Sequence, residues 1–560
     1  MRLQQGREPD RQAPEAGAGG PGCSHQPPGT AAATHAPLNR TLQPPPHAVP
    51  WNQTAMIMML TALALLRAML LLPVSAPGAP TVVSVRDYGA KGDARTDDTA
   101  AFARAIASVS ASGGVVQIPS VGPGKGYVLT RTLRIPAGVA LLGSPAGFAN
   151  NAWSAFPLPE KLIVGSKILA RPAPDQYAGP QRKPLFDLPG GSSVRGLYIL
   201  YDRQPWPADE EFKDPRSPYH YATFAEARSR FVREHVKPCG PTFYVTGPNV
   251  VIEDIVCDRY YDFFVQARGA RTYVDRISLY GYRRGFVFVE CLDVNRLSRV
   301  HLVPNVGPAC PGKALPGKTY SWIYGIVVSH PDNVGVQVGR SDGYVFTDLM
   351  FFGVHTALRL GASPAFPVHD PVTGQNAFEE PGSRAVSGFS APYTAQGPWG
   401  SVSGLMADQC VVGIHLVWPT PLTNRMSNVT IHTALTDGSA FKAREAGAGP
   451  VARQAAILVE STHVVANGIG IVPTLLLSNV SVGSFHDPER FAEAASDSRR
   501  AGGRVFLIDG DATIEVSNIL INAPYDEAAT VALGASATRA SLRMRGLVRT
   551  GEPQKDYALP

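Results

Sequence analysis

Residues 87–106 read DYGAKGDARTDDTAAFARAI, an acidic stretch with two glycines that runs into a helical pattern. The apolar residues of that pattern lie at helical spacing, namely Ala101, Phe102, Ala105, Ile106 and Val109. Thr96 is placed to cap the first turn, and the carboxylates of Asp97 and Asp98 are favoured at the positive end of the helix. The sequence therefore predicts a helix after Thr96. It explains the carboxylates of this stretch as turn and capping groups rather than as an acid–base centre.

A six-residue pattern, apolar–x–(polar or Gly)–apolar–x–apolar, returns along most of the chain. Its copies are VRGLYI (194–199), IEDIVC (252–257), VDRISL (274–279), LSRVHL (297–302), FTDLMF (346–351), VSGLMA (402–407), MSNVTI (426–431), LSNVSV (477–482) and VSNILI (516–521). The alternation of apolar and polar residues predicts that each copy is a short strand with one buried face. The central copies begin 22 and 23 residues apart, which fits one coil of a parallel β-helix.

A second apolar segment follows each copy after a turn. These segments are DFFVQA (from 262), GFVFVE (from 285), GIVVSH (from 325), TALRLG (from 356), GIHLVW (from 413), AAILVE (from 455) and VFLIDG (from 505). Two strands in a fixed order predict a solenoid of parallel sheets, because the strands of a two-sheet sandwich would not keep this pairing. We therefore expect an all-β, single-stranded parallel β-helix whose N-terminal end is covered by the capping helix after Thr96.

Long loop insertions interrupt the repeat. Three lie between the first and second strands of a coil, at 303–325, 432–455 and 483–504, and two more span 201–247 and 361–400. Because the coils stack, the first three should leave the same edge of the solenoid. Insertions crowded along a solenoid usually build its binding face.

The composition limits the classes of partner. The 560 residues include 55 glycines and 50 prolines, which favours many turns over long helices. Charged residues make up 17% of the chain, the formal net charge is +6, and no block of Lys or Arg stands out. This balance argues against a nucleic-acid partner.

The N-terminal part has the composition of a targeting region. Residues 1–55 are rich in Pro, Gly, Ala and His, and we interpret them as disordered or as an extension from a start codon assigned too far upstream. The apolar run from Met56 ends in small residues, so we expect a signal peptide over 56–79 and a β-helix domain over 80–560. A membrane anchor is the alternative, although Arg67 would make spanning costly. The protein is thus expected to be secreted or periplasmic, and to touch a membrane only through an uncleaved signal segment.

Six cysteines are present, without a CxxC pair or a His spacing typical of zinc sites. Cys23 lies before the expected cleavage site, which leaves the odd set Cys239, Cys257, Cys291, Cys310 and Cys410. One or two disulfides stay open to an exported domain. We interpret most of these cysteines as buried, small apolar side chains.

The opening stretch, followed by GGVVQIP (113–119) and YVLTRTLRIPAGVALLG (127–143), resembles the N-terminal signature of the pectate-lyase-like superfamily. More closely, it resembles the rhamnogalacturonase/epimerase-like branch, and the signature covers residues 83–145. The resemblance implies a right-handed parallel β-helix that acts on, or binds, polysaccharide in a cleft along its side.

The resemblance does not supply catalytic residues. Polygalacturonase-type hydrolases carry an NTDG, a DD pair, a GHG and an RIK segment along their central coils, and the central coils here have none of them. The WIDH and RxPxxR segments of calcium-dependent pectate lyases and the DPHD of alginate epimerases are also missing, and VHDP at 368–371 is only a partial match. Fold alone cannot choose among these reactions.

Two sets of aligned positions supply candidate catalytic residues. The turn after the first strand contributes Asp258, Tyr261, Asp262, Tyr282, Arg283 and Arg284. Positions beyond the second strand contribute Glu290 in one coil and His330 with Asp332 in the next. Aligned residues of neighbouring coils lie ~4.8 Å apart, so a site can be assembled from equivalent positions. Exposed rings in the insertions are candidates for stacking on sugars, namely Trp206, Tyr320, Trp322 and Trp399.

The candidate set favours one reaction class. Hydrolysis of a glycoside needs two carboxylates roughly 5–10 Å apart, one of them protonated. β-Elimination from a uronate needs a base, together with positive charge or calcium to stabilise the developing anion. Because Tyr and Arg outnumber paired carboxylates at these turns, we expect an exported enzyme that cleaves an acidic polysaccharide, with lyase favoured over hydrolase.

Two alternatives stay open. One is a non-catalytic glycan-binding or surface β-helix protein, which the missing family motifs favour. The other is an epimerase or a modifying enzyme of the cell's own exopolysaccharide. No cofactor is assigned, and a calcium requirement stays open.

Overall fold

The computed structural model describes residues 80–145, 165–302, 322–362, 368–374, 398–417, 423–433, 455–460, 464–466, 469–471, 474–484, 504–521, 531–534, 537, 540–549 and 555–558. Its strands in chain order are β1 (Thr81–Ser84), β2 (Asp93–Asp97), β3 (Gly114–Ile118), β4 (Gly126–Leu129), β5 (Leu133–Arg134), β6 (Val139–Gly143), β7 (Ser166–Ala170), β8 (Phe186–Leu188), β9 (Ser193–Leu200), β10 (Phe243–Val245), β11 (Val251–Gln266), β12 (Tyr273–Cys291), β13 (Asn295–Leu302), β14 (Val334–Phe352), β15 (Thr356–Leu360), β16 (Trp399–Cys410), β17 (Val412–Leu416), β18 (Thr423–Thr433), β19 (Ala455–Val459), β20 (Val464–Ala466), β21 (Ile469–Ile471), β22 (Thr474–Ser484), β23 (Arg504–Ile508), β24 (Ala512–Ile521), β25 (Val531–Leu533), β26 (Ala540–Arg549) and β27 (Lys555–Ala558). The α-helices are α1 (Thr99–Val109), α2 (Asp209–Lys213), α3 (Phe224–His235) and α4 (Trp322–Ser329).

The strands stack in parallel ladders. The first ladder runs from β1 through β3, β6, β9, β11, β12, β13, β14, β16, β18, β22 and β24 to β26. The second ladder runs through β5, β8, β10, the later parts of β11 and β12, the earlier part of β14, and then β15, β17, β19, β23 and β25. Antiparallel pairing within the described ranges is confined to β20 with β21 and β26 with β27. The fold is therefore all-β, a right-handed parallel β-helix.

The predicted repeat sets the register of the first ladder. First residues of successive copies pair directly, as in Val194–Ile252, Ile252–Val274, Val274–Leu297, Leu297–Phe346, Phe346–Val402, Val402–Met426, Met426–Leu477 and Leu477–Val516. The prediction of stacked coils is confirmed copy by copy. Apolar residues of these copies and of the second ladder form one continuous core inside the solenoid.

The third position of each copy is a corner rather than part of a straight strand, which corrects the simple alternating pattern. Residues at this position of the nine copies have φ between 51° and 74°, namely Gly196, Asp254, Arg276, Arg299, Asp348, Gly404, Asn428, Asn479 and Asn518. Gly546, at the equivalent position of β26, has φ 65°. The left-handed bend turns the chain so that the apolar residues before and after it both face inward. Gly, Asn and Asp tolerate this conformation best, which explains why the position is polar or glycine. The side chain of Asn479 accepts from Asn518 at 3.2 Å and donates to Asn428 at 3.1 Å.

We expect Asn479→Val to lower the free energy of unfolding by about 1–2 kcal/mol, because the left-handed region costs an ordinary L residue that much. Asn479→Gly should change it by far less, since glycine adopts positive φ freely. Urea unfolding of the two variants measures the difference. Equal losses would contradict the backbone explanation and assign the effect to the hydrogen bonds of the Asn side chain.

The opening stretch forms the expected helix but caps it differently. The residue before α1 is Asp98, whose carboxylate accepts from the backbone N–H groups of Lys91 at 2.7 Å and Gly92 at 3.1 Å. Thr96 lies in β2 and donates to Asp93, so its predicted capping role is wrong. Asp97 instead accepts from the backbone N–H of Thr99 at 3.0 Å. The helix packs on β1, β3 and β5, and its covering of the solenoid end stays a prediction.

One predicted second strand is wrong. GIVVSH from residue 325 lies in α4, and the strand of that coil is the first part of β14, where Val336 pairs with Phe286. A continuous apolar run does not distinguish a buried helix from a buried strand, which explains the error. The insertion before this strand therefore extends to residue 333, and its residues 303–321 lie outside the described residues.

The other insertions are described in part. The 201–247 insertion contains α2 and α3, and Thr223 caps α3 by accepting from the backbone N–H of Glu226. Most of the insertions at 361–400, 432–455 and 483–504 lies outside the described residues, as do 1–55 and the predicted signal segment.

The four cysteines that the structure describes are free and buried, namely Cys239, Cys257, Cys291 and Cys410. They form no disulfide with one another and behave as small apolar side chains. Cys23 and Cys310 lie outside the described residues. Among the described helices, none is both long and apolar enough to cross a membrane.

Candidate functional site

A run of buried polar side chains lies on the second ladder in the central coils. Gln337, Arg359 and His415 pair in register on β14, β15 and β17, and each is at most 3% exposed. Their neighbours in the same strands, such as Leu358 and Ile414, face the core. Because side chains alternate along a strand, the polar residues point away from the core, and their burial means that other segments cover this face.

Around this run lies a larger group that we name the arginine–histidine cluster. Its members are Tyr261, Asp262, Arg283, Arg284, His330, Asp332, His355, Arg359, His415 and Glu460. Electrostatic effects connect the group, because Asp332 raises the pKa of both His355 and Arg359 against the larger, opposite effect of burial. The cluster thus spans several consecutive coils along one side of the solenoid.

The best buried ion pair of the cluster joins Asp262 and Arg284. Nε and Nη2 of Arg284 donate to the two carboxylate oxygens at 2.9 and 2.8 Å, and the two side chains are 0% and 3% exposed. Burial opposes ionisation of Asp262, but Arg284 and Arg283 together hold its pKa well below the usual range. Arg284 also donates to the backbone oxygen of His369 at 2.9 Å, so its position is fixed from both sides.

Arg283 connects this buried ion pair to the protein surface. It donates to Asp262 at 3.3 Å and to Asp332, whose side chain is half-exposed, at 3.1 Å. Its guanidinium carbon lies 5.3 Å from the centre of the Tyr261 ring, and that of Arg182 lies 5.0 Å from the same ring. Burial works against ionisation of Asp332, yet Arg283 holds the pKa of that carboxyl below its usual value.

Two half-buried histidines of the cluster are neutral at pH 7. Nδ1 of His330 accepts from the backbone N–H of Asp332 at 3.2 Å, which assigns the ring proton to Nε2. Burial lowers the pKa of His330. Burial, with the nearby positive charge of Arg359, lowers the pKa of His355 to about 3. Nδ1 of His355 lies 3.1 Å from Oγ1 of Thr356, so a proton on Nδ1 would leave Nε2 free to accept.

Arg359 and His415 form the buried floor of the cluster. Nε of Arg359 donates to Nδ1 of His415 at 3.3 Å, and Nε2 of His415 lies 2.8 Å from Oε2 of Glu460. Burial lowers the pKa of Arg359 to about 10, so the guanidinium is still charged at neutral pH. The chain of contacts fixes the imidazole between a cation and a carboxylate.

The structure brings together five of the predicted residues, Tyr261, Asp262, Arg283, Arg284 and Asp332, with His330 beside them. The segment that carries them is not a turn, because β11 and β12 continue through it with irregular register.

Three other predicted residues lie elsewhere. Asp258 is buried and accepts from the hydroxyl of Tyr198 at 3.4 Å, and Tyr282 packs edge-on against Trp206 at 5.0 Å. Glu290 lies at the end of the second ladder, and its carboxylate is 3.4 Å from the guanidinium of Arg340. The predicted alignment of Glu290 with His330 is wrong, since Arg340 holds the position paired with Glu290. Because the segment that forms α4 was predicted as a strand, the residues of this coil were aligned with the wrong positions of the neighbouring coil.

The aromatic candidates differ in exposure. Trp206 is 6% exposed and Trp322 packs on Phe212 and Phe224, so both rings form the small core of the insertions rather than an open stacking surface. Trp399 is exposed on β16, and its role in stacking on a sugar stays a prediction. Tyr320 lies outside the described residues.

Sequence reasoning missed His355, Arg359, His415 and Glu460. A signal was present, because TALRLG and GIHLVW both place a cationic or imidazole side chain between apolar residues of a second strand. The next segment, AAILVE, ends in Glu460. Within the described ranges, no group of three or more His, Cys, Asp or Glu residues is arranged to hold a metal ion.

Comparison with protein families gives a match over residues 82–179 to the model described as rhamnogalacturonase A/epimerase, pectate lyase-like. No curated protein sequence matches the chain.

Three solved structures illustrate the similarity. An exopolygalacturonase from Thermotoga maritima has 12% identity over 86% of this chain and 95% of its own, with a TM-score of 0.38. The A-module of a mannuronan C-5 epimerase from Azotobacter vinelandii has 12% identity over 84% of this chain and 100% of its own, with a TM-score of 0.34. A tailspike of E. coli bacteriophage HK620, solved in complex with a hexasaccharide, has 10% identity over 86% of this chain and 71% of its own, with a TM-score of 0.41.

Proposed function

For this right-handed parallel β-helix, whose residues 82–179 match the pectate-lyase-like family model, we propose an enzyme that cleaves an acidic polysaccharide by β-elimination. The observation that carries the proposal is the arginine–histidine cluster, which places two neutral imidazoles beside charged guanidinium groups on one side of the solenoid.

The cluster matches the requirements of elimination from a uronate. A base removes the proton next to the carboxylate, and positive charge stabilises the anion that develops. Arg283 is the cation nearest the surface and pairs with the sugar carboxylate. His355 accepts the proton at Nε2, and His330 donates a hydrogen bond from its own Nε2–H to the departing glycosidic oxygen, which takes its proton from solvent. With the ring proton of His355 on Nδ1, one neutral imidazole serves as the base and the other as a hydrogen-bond donor to the leaving oxygen.

Two of the three carboxylates of the cluster, Asp262 and Asp332, fit hydrolysis less well. A glycosidase needs one carboxyl group that keeps its proton at working pH. The pKa values of Asp262 and Asp332 are both lowered: burial opposes ionisation in each, and the neighbouring arginines outweigh it. Both groups are therefore ionised, and this supports a lyase over a hydrolase.

Incubation of the protein with acidic polysaccharides tests the proposal. We expect new absorbance near the ultraviolet edge, since elimination leaves a conjugated double bond in the product. New reducing ends without that absorbance would mean a hydrolase. Retention of the polymer without products would mean a binding protein. A neutral glucan serves as the matched substrate control.

A non-catalytic glycan-binding protein is the second candidate. This candidate is favoured because the side chains of Asp262, Arg284 and Arg359 are buried and already hydrogen-bonded within the chain. A rigid charged surface of this kind would suit recognition. The absence of product in the same assay, together with retention of polymer, would select it.

The proposal includes export, because residues 56–79 are expected to form a signal peptide. We place the activity outside the cytoplasm, in the periplasm or the medium, where acidic polymers of the envelope and surroundings are accessible. Detection of the protein in a cell-free fraction, beginning near residue 77 or 80, would test this location.

A further inference from the structure

A concave site lies N-terminal to the arginine–histidine cluster. It is a cleft of about 250 Å³ between the segment after β7 and the start of the 201–247 insertion. Its lining includes Arg171, Tyr177, Tyr201, Arg203, Gln204 and Lys237. Pockets for drug-sized ligands span about 300–1,000 Å³, so this cleft suits a single sugar ring.

The charge of the cleft is positive and accessible. Arg171 is neutralised by Asp202, to which it donates at 2.6–3.0 Å. Arg203 and Lys237 are exposed, and neither has an ion-pair partner in the part of the chain that the structure describes. Two unpaired cations at the rim of one cleft favour an anionic ligand.

The walls of the cleft are held in place. The side-chain amide of Gln204 donates to the backbone oxygen of Lys237 at 2.7 Å and accepts from its N–H at 2.9 Å, which ties the two segments together. Tyr201 is buried and its hydroxyl lies 2.9 Å from that of Thr242. Tyr177 is half-buried and offers an aromatic face of the kind that stacks on sugars. A preformed cleft loses little entropy on binding.

The cleft lies next to the strand that carries part of the arginine–histidine cluster. The backbone N–H of Tyr201 donates to the oxygen of Asp258 at 3.1 Å, and β11 then leads to Asp262 in the arginine–histidine cluster. Coils are spaced ~4.8 Å apart, so a polymer laid along the solenoid reaches both places within a few coils.

We propose that this cleft is a separate subsite for a carboxylate-bearing sugar residue, with Arg203 and Lys237 binding the carboxylate and Tyr177 contacting the ring. The identity of the ligand rests on the proposed function, whereas the cleft and its charge do not. The subsite holds the polymer at a distance from the bond that is cleaved, and it contributes to affinity rather than to chemistry.

Saturation-transfer NMR titration of the full chain with galacturonate and glucuronate tests the subsite. Galactose, glucose and inorganic phosphate serve as comparison ligands. We expect the uronates to bind about tenfold or more tightly than the neutral sugars, since hydrogen bonds to charged groups are the stronger ones. The double variant Arg203→Ala with Lys237→Ala should lose about tenfold or more of that affinity.

The matched control is Lys213→Ala with Arg216→Ala, which removes the same charge from exposed positions of the same insertion and should bind as the wild type. Unchanged uronate binding in the Arg203/Lys237 variant would overturn the subsite, as would equal binding of neutral sugars or binding of phosphate alone. His355→Gln distinguishes the two sites, because it should lower cleavage by about 10²–10⁴-fold while leaving the Arg203- and Lys237-dependent binding intact. Because this binding is measured without turnover, a failed cleavage assay would contradict the proposed function but not the proposed subsite.

Discussion

Arg284→Met is expected to lower the free energy of unfolding by about 3–5 kcal/mol, because it leaves a buried carboxylate without its main partner. Asp262 is 0% exposed and receives two hydrogen bonds from Arg284. Arg283 at 3.3 Å remains as a partial replacement, which places the loss at the lower end of that range. Urea unfolding followed by circular dichroism measures it.

Two variants make this expectation specific. Arg299→Met removes an arginine whose side chain is more than half-exposed and pairs with Asp275, and it should cost at most about 1 kcal/mol. The double variant Asp262→Asn with Arg284→Met should recover much of the loss, since no buried charge is left unpaired. A single-variant loss no larger than that of Arg299→Met would contradict the ion-pair account.

The same pair predicts how stability depends on pH. The pKa of Asp262 is lowered in the folded state: burial opposes ionisation, and Arg284 and Arg283 outweigh it. The carboxylate therefore contributes stability above its unfolded pKa, near 3.9, and that contribution is lost as the pH falls towards the folded value. Asp262→Asn should consequently be less sensitive than the wild type to acid below about pH 4.

The fold was predictable because its register depends on local pattern. Each copy of the repeat carries apolar residues that face the core and a polar or glycine corner, so copies align without knowledge of the whole chain. The corner at Asn428 and Asn479 could be read as polar but not as left-handed, since one sequence does not display φ. The secondary structure of the run WIYGIVVS could not be predicted, because an almost entirely apolar run has neither the period of a helix nor that of a strand.

The site was only half predictable because burial is not visible in a sequence. Alignment of β11 with β12 brought Asp262 to Arg284, and the structure pairs them directly. Arg359 and His415 were not predicted as site residues because they lie within apolar strands. Burying a charged side chain there costs free energy unless it has a hydrogen-bonding partner. The covering segments make these positions tenable, and sequence pattern alone does not show which segments pack there.

The largest catalytic effect is expected at the paired imidazoles. If elimination proceeds as proposed, His355→Gln should lower the rate of product formation by about 10²–10⁴-fold, the usual contribution of a positioned acid or base. Glutamine keeps a polar group near Thr356 but cannot accept the proton. His301→Gln, an exposed histidine on the first ladder, is the matched control and should stay within about twofold of the wild type, as surface changes usually do.

The pH profile and substrate binding separate this chemical role from a structural one. Burial and the charge of Arg359 lower the pKa of His355 to about 3, so the wild type should keep its base deprotonated, and its activity, well below pH 6.5. Polymer binding by His355→Gln should match the wild type, with the loss confined to kcat. A loss of binding equal to the loss of rate would instead assign His355 to recognition. Because His330 acts in the same step, His330→Gln combined with His355→Gln should cost little more than the worse single variant, as groups that act together are not additive.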